Sequence, residues 1–394
     1  MESTPALDHS AASTELDHLN DRSGLLALRD GTEHSDISDE RASLDTMLTA
    51  LVAAKGSDLH LTVGAPPTIR QHGALRSLPE YDKLTPADTL ALLRSAASPA
   101  QWEQFERTHE LDFAYSIKGL SRFRVNVYAQ RGSCAAAFRA IPHIIKPLDE
   151  LGVPTSVEKF AQLHRGLLLV TGPTGSGKTT TLASLLDMAN RTRAAHIVTI
   201  EDPIEFLHEH KRSLVNQREV GADTGSFSAA LKHALRQDPD IILVGELRDL
   251  ETTSTALTAA ETGHLVLATL HTQSAAQTVD RIIDIFPSSQ QHQIRAQLAM
   301  ALQGVVTQAL APRADGSGRA IVTEIMVGSP AIRNLIREGK THQIPTFMQA
   351  GASLGMLAFD QHLAERVREQ IVTFEQALEM CHSSEEFTRL AKRA

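Results

Sequence analysis

Gly172-Pro173-Thr174-Gly175-Ser176-Gly177-Lys178-Thr179, with Thr180 next, fits the spacing G-x-x-x-x-G-K-T. Glycines there let backbone N–H groups curl around phosphate oxygens, and a helix opening at the loop adds the positive end of its dipole. Lys178 is placed to reach the β- and γ-phosphates, and the Thr179 hydroxyl to ligate Mg2+. Such a loop also needs carboxylates. Two acid-bearing runs qualify, Ile200-Glu201-Asp202-Pro203-Ile204-Glu205 and Asp240-Ile241-Ile242-Leu243-Val244-Gly245-Glu246. The second departs from the usual apolar run ending in Asp, because Gly245 occupies the position expected for the metal-holding residue. Glu246 is then the candidate to polarise water, with Glu201 or Glu205 holding Mg2+ through water.

The elements that would position these groups are legible around them. Gly166-Leu167-Leu168-Leu169-Val170 reads as a fully apolar strand directly before the loop, and Thr179 to Ala189 as the helix after it. Further apolar strands are expected at His196 to Ile200, Asp240 to Val244 and His264 to Thr269, with helical stretches between them. Alternation of this kind implies a mainly parallel sheet covered on both faces, whose strand carboxyl ends converge on the ligand. His271, just beyond the carboxyl end of its strand, can approach the phosphates. His264, at the amino end, should not unless that strand is shorter than it reads.

Upstream, Leu44, Met47, Leu48, Leu51 and Val52 recur at helical spacing and end at Gly56. Asp58 to Val63, Phe123 to Tyr128 and Ala135 to Ile141 read as strands, and Thr85-Pro86 as a helix start. A small α/β domain with a largely antiparallel sheet follows from this pattern. In Ser121-Arg122-Phe123-Arg124-Val125-Asn126-Val127 the alternation puts Arg122, Arg124 and Asn126 on one face, and Arg139 lies on the neighbouring strand. These arginines are either salt-bridged surface residues or contacts to a nucleotide. After residue 290 helices are expected to dominate, beginning with a stripe of Ile294, Leu298, Ala301, Leu302 and Val305.

The chain has 394 residues, 38 Lys+Arg against 47 Asp+Glu, and two cysteines. Ten acids and only Arg22 and Arg29 fall within residues 1–40, which leaves the rest close to neutral. The acidic segment reads as a disordered tail. A balanced body without a basic stripe disfavours nucleic acid as a partner. Two distant cysteines cannot build a four-cysteine zinc site. No apolar run approaches the roughly 20 residues of a membrane span, so a cytoplasmic protein is expected.

With these motifs set out, the chain resembles the secretion-type AAA-like ATPases, and within them the pilus retraction branch. The resemblance covers about Leu44 to Phe359. It rests on GPTGSGKTTTLA from Gly172, IEDPIEF from Ile200, DPDIILVGELRDLET from Asp238 and HLVLATLHTQSAAQTVDRIIDIFP from His264. Glycine in place of the Asp matches that family's own pattern. SDLHLTVGAPPTIRQHG from Ser57 looks like its N-terminal PAS-like domain, and Ala331-Ile332-Arg333-Asn334-Leu335-Ile336-Arg337-Glu338 like the motif of its retraction members. The last segment, taken by itself, is also an ordinary amphipathic helix.

Pattern and resemblance together give the expected α/β architecture: from composition and pattern, a disordered acidic tail over 1–42, a linker over 143–165 and a helical region over 291–394; by resemblance, the α/β domain over 43–142 is PAS-like and the P-loop core over 166–290 RecA-like. The resemblance implies a homohexameric, ATP- and Mg2+-dependent motor for type IV pilus retraction, cytoplasmic and peripheral at the inner membrane. An inner-membrane pilus platform protein and a paralogous pilus ATPase are the implied partners. Among the residues, it makes Glu246 the general base and Glu205 part of an acid box. Arg124 and Arg139 become nucleotide-contacting arginines, and His264 and His271 the residues of a His box. A pilus-assembly or type II secretion ATPase, or a nucleotide-binding regulator of another motor, is the alternative.

Overall fold

The structure, a computed structural model, describes residues 34–71, 73–141 and 144–392. The chain divides into two units at Ile141/Pro142.

The first unit opens with helix α1 (His34–Ala53). The expected tail over 1–42 is therefore helical from His34; its remainder lies outside the described residues. A helix nucleated by the buried stripe Leu44, Met47, Leu48 and Leu51 extends at little cost, since each further residue adds one hydrogen bond. Six strands follow, β1 (Asp58–Leu61), β2 (Thr68–Gln71), β3 (Ala74–Ser77), β4 (Glu110–Ile117), β5 (Ser121–Gln130) and β6 (Ser133–Ile141). They form one antiparallel sheet in the order β3-β2-β1-β6-β5-β4. Helices α2 (Pro86–Ala96) and α3 (Pro99–Thr108) lie between β3 and β4, each opened by a capping box, Thr85 with Asp88 and Ser98 with Gln101. Period-two patterning of β5 holds: Phe123, Val125 and Val127 are fully buried, while Arg124 is exposed and pairs across the strands with Arg139.

The second unit is built on seven strands, β7 (Gly166–Thr171), β8 (His196–Glu201), β9 (Leu214–Glu219), β10 (Ile241–Val244), β11 (Leu265–Leu270), β12 (Leu302–Pro312) and β13 (Arg319–Val327). Their order is β13-β12-β7-β11-β10-β8-β9, parallel throughout except for β13. Every residue of β7, β10 and β11 is buried, as continuous apolar runs between two helical layers require. The covering helices are α4 (Lys178–Thr192), α5 (Phe227–Ala234), α6 (Leu250–Glu261), α7 (Ala275–Asp284) and α8 (Ser288–Ala301). The C-terminal part adds α9 (Pro330–Glu338), α10 (Ile344–Ala350), α11 (Phe359–Arg368), α12 (Phe374–Met380) and α13 (Ser384–Ala391).

Two expectations are corrected here. The stretch 143–165 is not a free linker, because Leu148, Val153, Val157 and Phe160 are buried in the second unit's core. The region 291–394 is not wholly helical: the stripe from Ile294 stops at Ala301, and Leu302 opens β12, which pairs with both β7 and β13. At Gly304 a Cβ would stand 2.3 Å from the ring of Phe160, so only glycine lets the strand close on that side chain. Among the described residues no helix is long and apolar enough to cross a membrane.

Candidate nucleotide site

The P-loop joins the end of β7 to α4. Gly172, Gly175 and Gly177 have φ of 137°, 79° and 87°, values that other residues adopt only at a cost. Gly172 has a second constraint, since a Cβ there would lie 2.2 Å from the backbone oxygen of Gln308 on β12. From the same strand, Gln308 Nε2 donates to the Ser176 carbonyl at 2.7 Å. Helix α4 has no side-chain cap, so its first-turn N–H groups stay available for a ligand.

Lys178 is 8% exposed and its ammonium donates to the carbonyls of Gly172 (2.9 Å) and Pro173 (3.1 Å). Burial pulls its pKa down, partly offset by the charges of Glu246 and Glu205.

A cleft of about 640 Å3 opens over these groups. The loop contributes Thr174, Gly175, Gly177, Lys178, Thr179 and Thr180; Glu201 ends β8, and Asp202, Glu205 and His208 come from the segment after it. Gly245, Glu246 and Arg248 follow β10, Thr269 and His271 lie at the end of β11, and Leu310 and Arg319 come from β12 and β13. The parallel order β7-β11-β10-β8 accounts for the convergence, since the carboxyl ends of neighbouring strands face one crevice.

Glu246 is held on two sides, by Arg248 Nη2 at 2.8 Å and His271 Nε2 at 3.3 Å. Burial pushes its carboxyl up, but the Arg248 hydrogen bond and the charges of His271 and Arg248 outweigh it and leave it below the usual carboxylate value. Glu201 is differently placed. It is 9% exposed, accepts from Thr199 Oγ1 (2.6 Å) and Gln217 Nε2 (3.0 Å), and burial raises its pKa against those bonds. Glu205 is exposed to the cleft.

Of the residues singled out from the sequence, Lys178, Thr179, Thr180, Glu201, Glu205, Glu246 and His271 are thus gathered in one cleft. Gly172, Pro173 and Ser176 shape the loop beneath it, and Ser176 is buried. His264 is not brought there: it precedes β11, its Nδ1 contacts the Ala259 carbonyl (3.0 Å), and its own carbonyl accepts from Gly166. Arg124 and Arg139 belong to the first unit, where Arg139 pairs with Asp58 at 2.9 Å.

Several residues escaped the sequence reading. Gln217 on β9 holds the segment after β8 with three bonds, accepting from the His208 amide (2.8 Å) and donating to Glu201 and to the Phe206 carbonyl (2.9 Å). Nearby, Glu219 accepts the Ile204 amide at 3.0 Å. A strand with polar residues facing a carboxylate-bearing loop was the available signal, but β9 has too little apolar content to read as a strand. Arg248 was visible as a cation two residues past Glu246.

The chain matches the family model of type II/IV secretion system proteins over residues 148–325. It is 49% identical over 343 residues to the type IV pilus retraction ATPase PilT of Pseudomonas aeruginosa, covering 87% of this chain and 99% of that protein. It is 38% identical over 348 residues to the type IV pilus ATPase PilU of the same organism, covering 88% and 91%. The crystal structure of the pilus retraction motor PilT with bound ADP superimposes with a TM-score of 0.82 at 46% identity, over 88% of this chain and 98% of that one. A P-loop with Glu246 and His271 facing it, on a fold shared over nearly the full length of these relatives, makes this chain a member of the PilT family of type II/IV secretion ATPases.

Proposed function

We propose that this protein is a Mg2+-dependent, ATP-hydrolysing motor that powers retraction of type IV pili. The observation that carries the reading is the convergence of Lys178, Glu246 and His271 on one cleft, in a chain alike over almost its whole length to a retraction ATPase. A γ-phosphate seated on the loop would lie beneath Glu246, which is ionised and so able to orient a water for in-line attack. Lys178 would exchange its two loop carbonyls for phosphate oxygens.

Mg2+ fits the residues present without a dedicated carboxylate cage. Among the described residues no group of three or more His, Cys, Asp or Glu could hold an ion by itself. Thr179 and the exposed Glu205 face the cleft, and the nucleotide's own phosphates would complete the shell, as Mg2+ prefers. Glu201, already bonded to Thr199 and Gln217, is assigned a water-mediated part at most. A homohexamer, attachment to an inner-membrane pilus platform from the cytoplasmic side, and positive charge from Arg124 and Arg139 belong to the same reading.

The identity to the retraction ATPase PilT, 49%, exceeds that to the pilus ATPase PilU, 38%, which supports retraction as the work done. The test is steady-state ATP turnover by the purified protein. Lys178→Ala should abolish binding and turnover, and Glu246→Ala should lower kcat at least about 100-fold with nucleotide binding retained. Wild-type rates in either variant would sink the hydrolytic assignment. Retraction restored by this chain in a retraction-deficient strain, and not by its Glu246→Ala form, would tie turnover to the pilus.

A further inference from the structure

Glu324 is a buried carboxylate on β13, 8% exposed, with no contact to the nucleotide cleft. One of its oxygens, Oε1, accepts the amide of Ala275, the first residue of α7, at 2.6 Å. The amide of Phe359, the first residue of α11, lies near enough to the same carboxyl to help hold its pKa down. First-turn amides have no partner within their own helix, and the positive end of the helix attracts an anion. This side chain therefore closes the N-terminus of α7 from β13. Burial pushes the carboxyl pKa up and Asp360 adds to this, while the two amides and His382 pull it down.

The connection to the cleft is short. Ala275 follows His271 by four positions, and the residues between are fastened to α7. The Thr272 and Thr278 hydroxyls are 2.7 Å apart, the Gln273 amide donates to Gln277 Oε1 at 3.3 Å, and Ser274 Oγ accepts the Gln277 amide at 3.2 Å. The segment 271–274 must then follow the first turn of α7, and His271 sits 3.3 Å from Glu246. On the other side β13 is bonded to the approach to α11, through Ile325 and Leu357 in both directions.

We propose that Glu324 is a positioning residue for hydrolysis: it pins the start of α7 to β13, and so sets where His271 meets Glu246.

The inference rests on the hydrolytic reading above, and wild-type turnover tests that reading separately. In the full-length protein we would compare Glu324→Gln, His271→Ala, the double variant and Asp360→Asn. Asp360 is the control, because it accepts the amides of His382 (2.7 Å) and Ser383 (2.8 Å) and has no bond to α7. Glu324→Gln should lower kcat about tenfold, the scale of a sub-ångström misplacement, with the Kd of a fluorescent ADP analogue within about twofold. Asp360→Asn should keep kcat within about twofold, and Glu324→Gln should cost nothing further in the His271→Ala background. An unchanged kcat in Glu324→Gln overturns the inference, as does an equal loss with and without His271. Should Glu324→Gln fail to fold, Glu324→Asp enters the same cycle with the same two readings. Hydrogen exchange of residues 271–278 gives a measure independent of turnover: it should quicken in the Glu324 variant and not in Asp360→Asn, and unchanged exchange would overturn the idea even in a protein without ATPase activity.

Discussion

Restoring the missing aspartate with Gly245→Asp tests whether the strand could ever have carried it. A Cβ at Gly245 would meet the backbone oxygen of Ile200 at 3.3 Å, the Phe227 ring at 3.4 Å and the Glu201 Cα at 3.5 Å. The first of these cannot retreat, because the Gly245 amide is itself bonded to Ile200 O at 2.8 Å. Overpacking of this kind costs about 1–3 kcal/mol, and Gly245→Ala should fall near the lower end. An aspartate adds a carboxyl beside Glu201, which already has its bonds to Thr199 and Gln217 and offers no cation, for about another 1–2 kcal/mol. Each 1 kcal/mol lowers the melting temperature of a unit of this size by about 2–4 °C. We expect a fall of about 3 °C for Gly245→Ala and about 4–12 °C for Gly245→Asp, followed by circular dichroism, with ATP turnover reduced in the second. Gly245→Asp melting with the wild type and hydrolysing faster would refute the reasoning. The strand would then have room, and the site would lack only a ligand.

Two further outcomes concern pH. Arg248→Ala removes the hydrogen bond that does most to hold Glu246 ionised against burial, so its pKa should rise and the acid limb of the kcat/KM profile should move to higher pH; an unmoved limb would separate Arg248 from the base. His208 and His362 are both pushed down to about 4, chiefly by burial, and so remain neutral in the fold, whereas the unfolded chain takes up protons near 6.5. Stability is then fully present above pH 6.5 and declines as pH falls toward 4, by up to about 1.4 kcal/mol per pH unit for each ring. Urea midpoints that stay level between pH 7.5 and 5 would contradict this.

What could be read from the sequence was whatever lies close together along it. The strand, loop and helix from Gly166 to Ala189 form one contiguous stretch whose apolar run, glycines and helical spacing agree, so the loop and its helix were legible residue by residue. Glu246 and His271 were found because a strand end is a local feature and parallel strands bring such ends together. The stripe from Ile294 was misread past Ala301 because Leu302 and Val305 fit helical spacing, while what makes them a strand is pairing with β7, more than a hundred residues earlier. Gly304, followed by Val305, Val306 and Thr307, was the local hint. Gln308 and Glu324 act on backbone groups of distant segments, and no spacing rule connects an amide or carboxylate to a backbone atom elsewhere in the chain.

The seat of the Lys178 ammonium on the Gly172 and Pro173 carbonyls bears on how a ligand leaves as well as how it arrives. Were the loop without those acceptors, each departing phosphate would strand a desolvated cation, and spent nucleotide would dwell until water could replace it. Here the lysine would pass from one set of oxygens to another, so departure would trade partners instead of forfeiting them. Where release of spent nucleotide sets the tempo of a cycle, such a pair of carbonyls would shorten the wait.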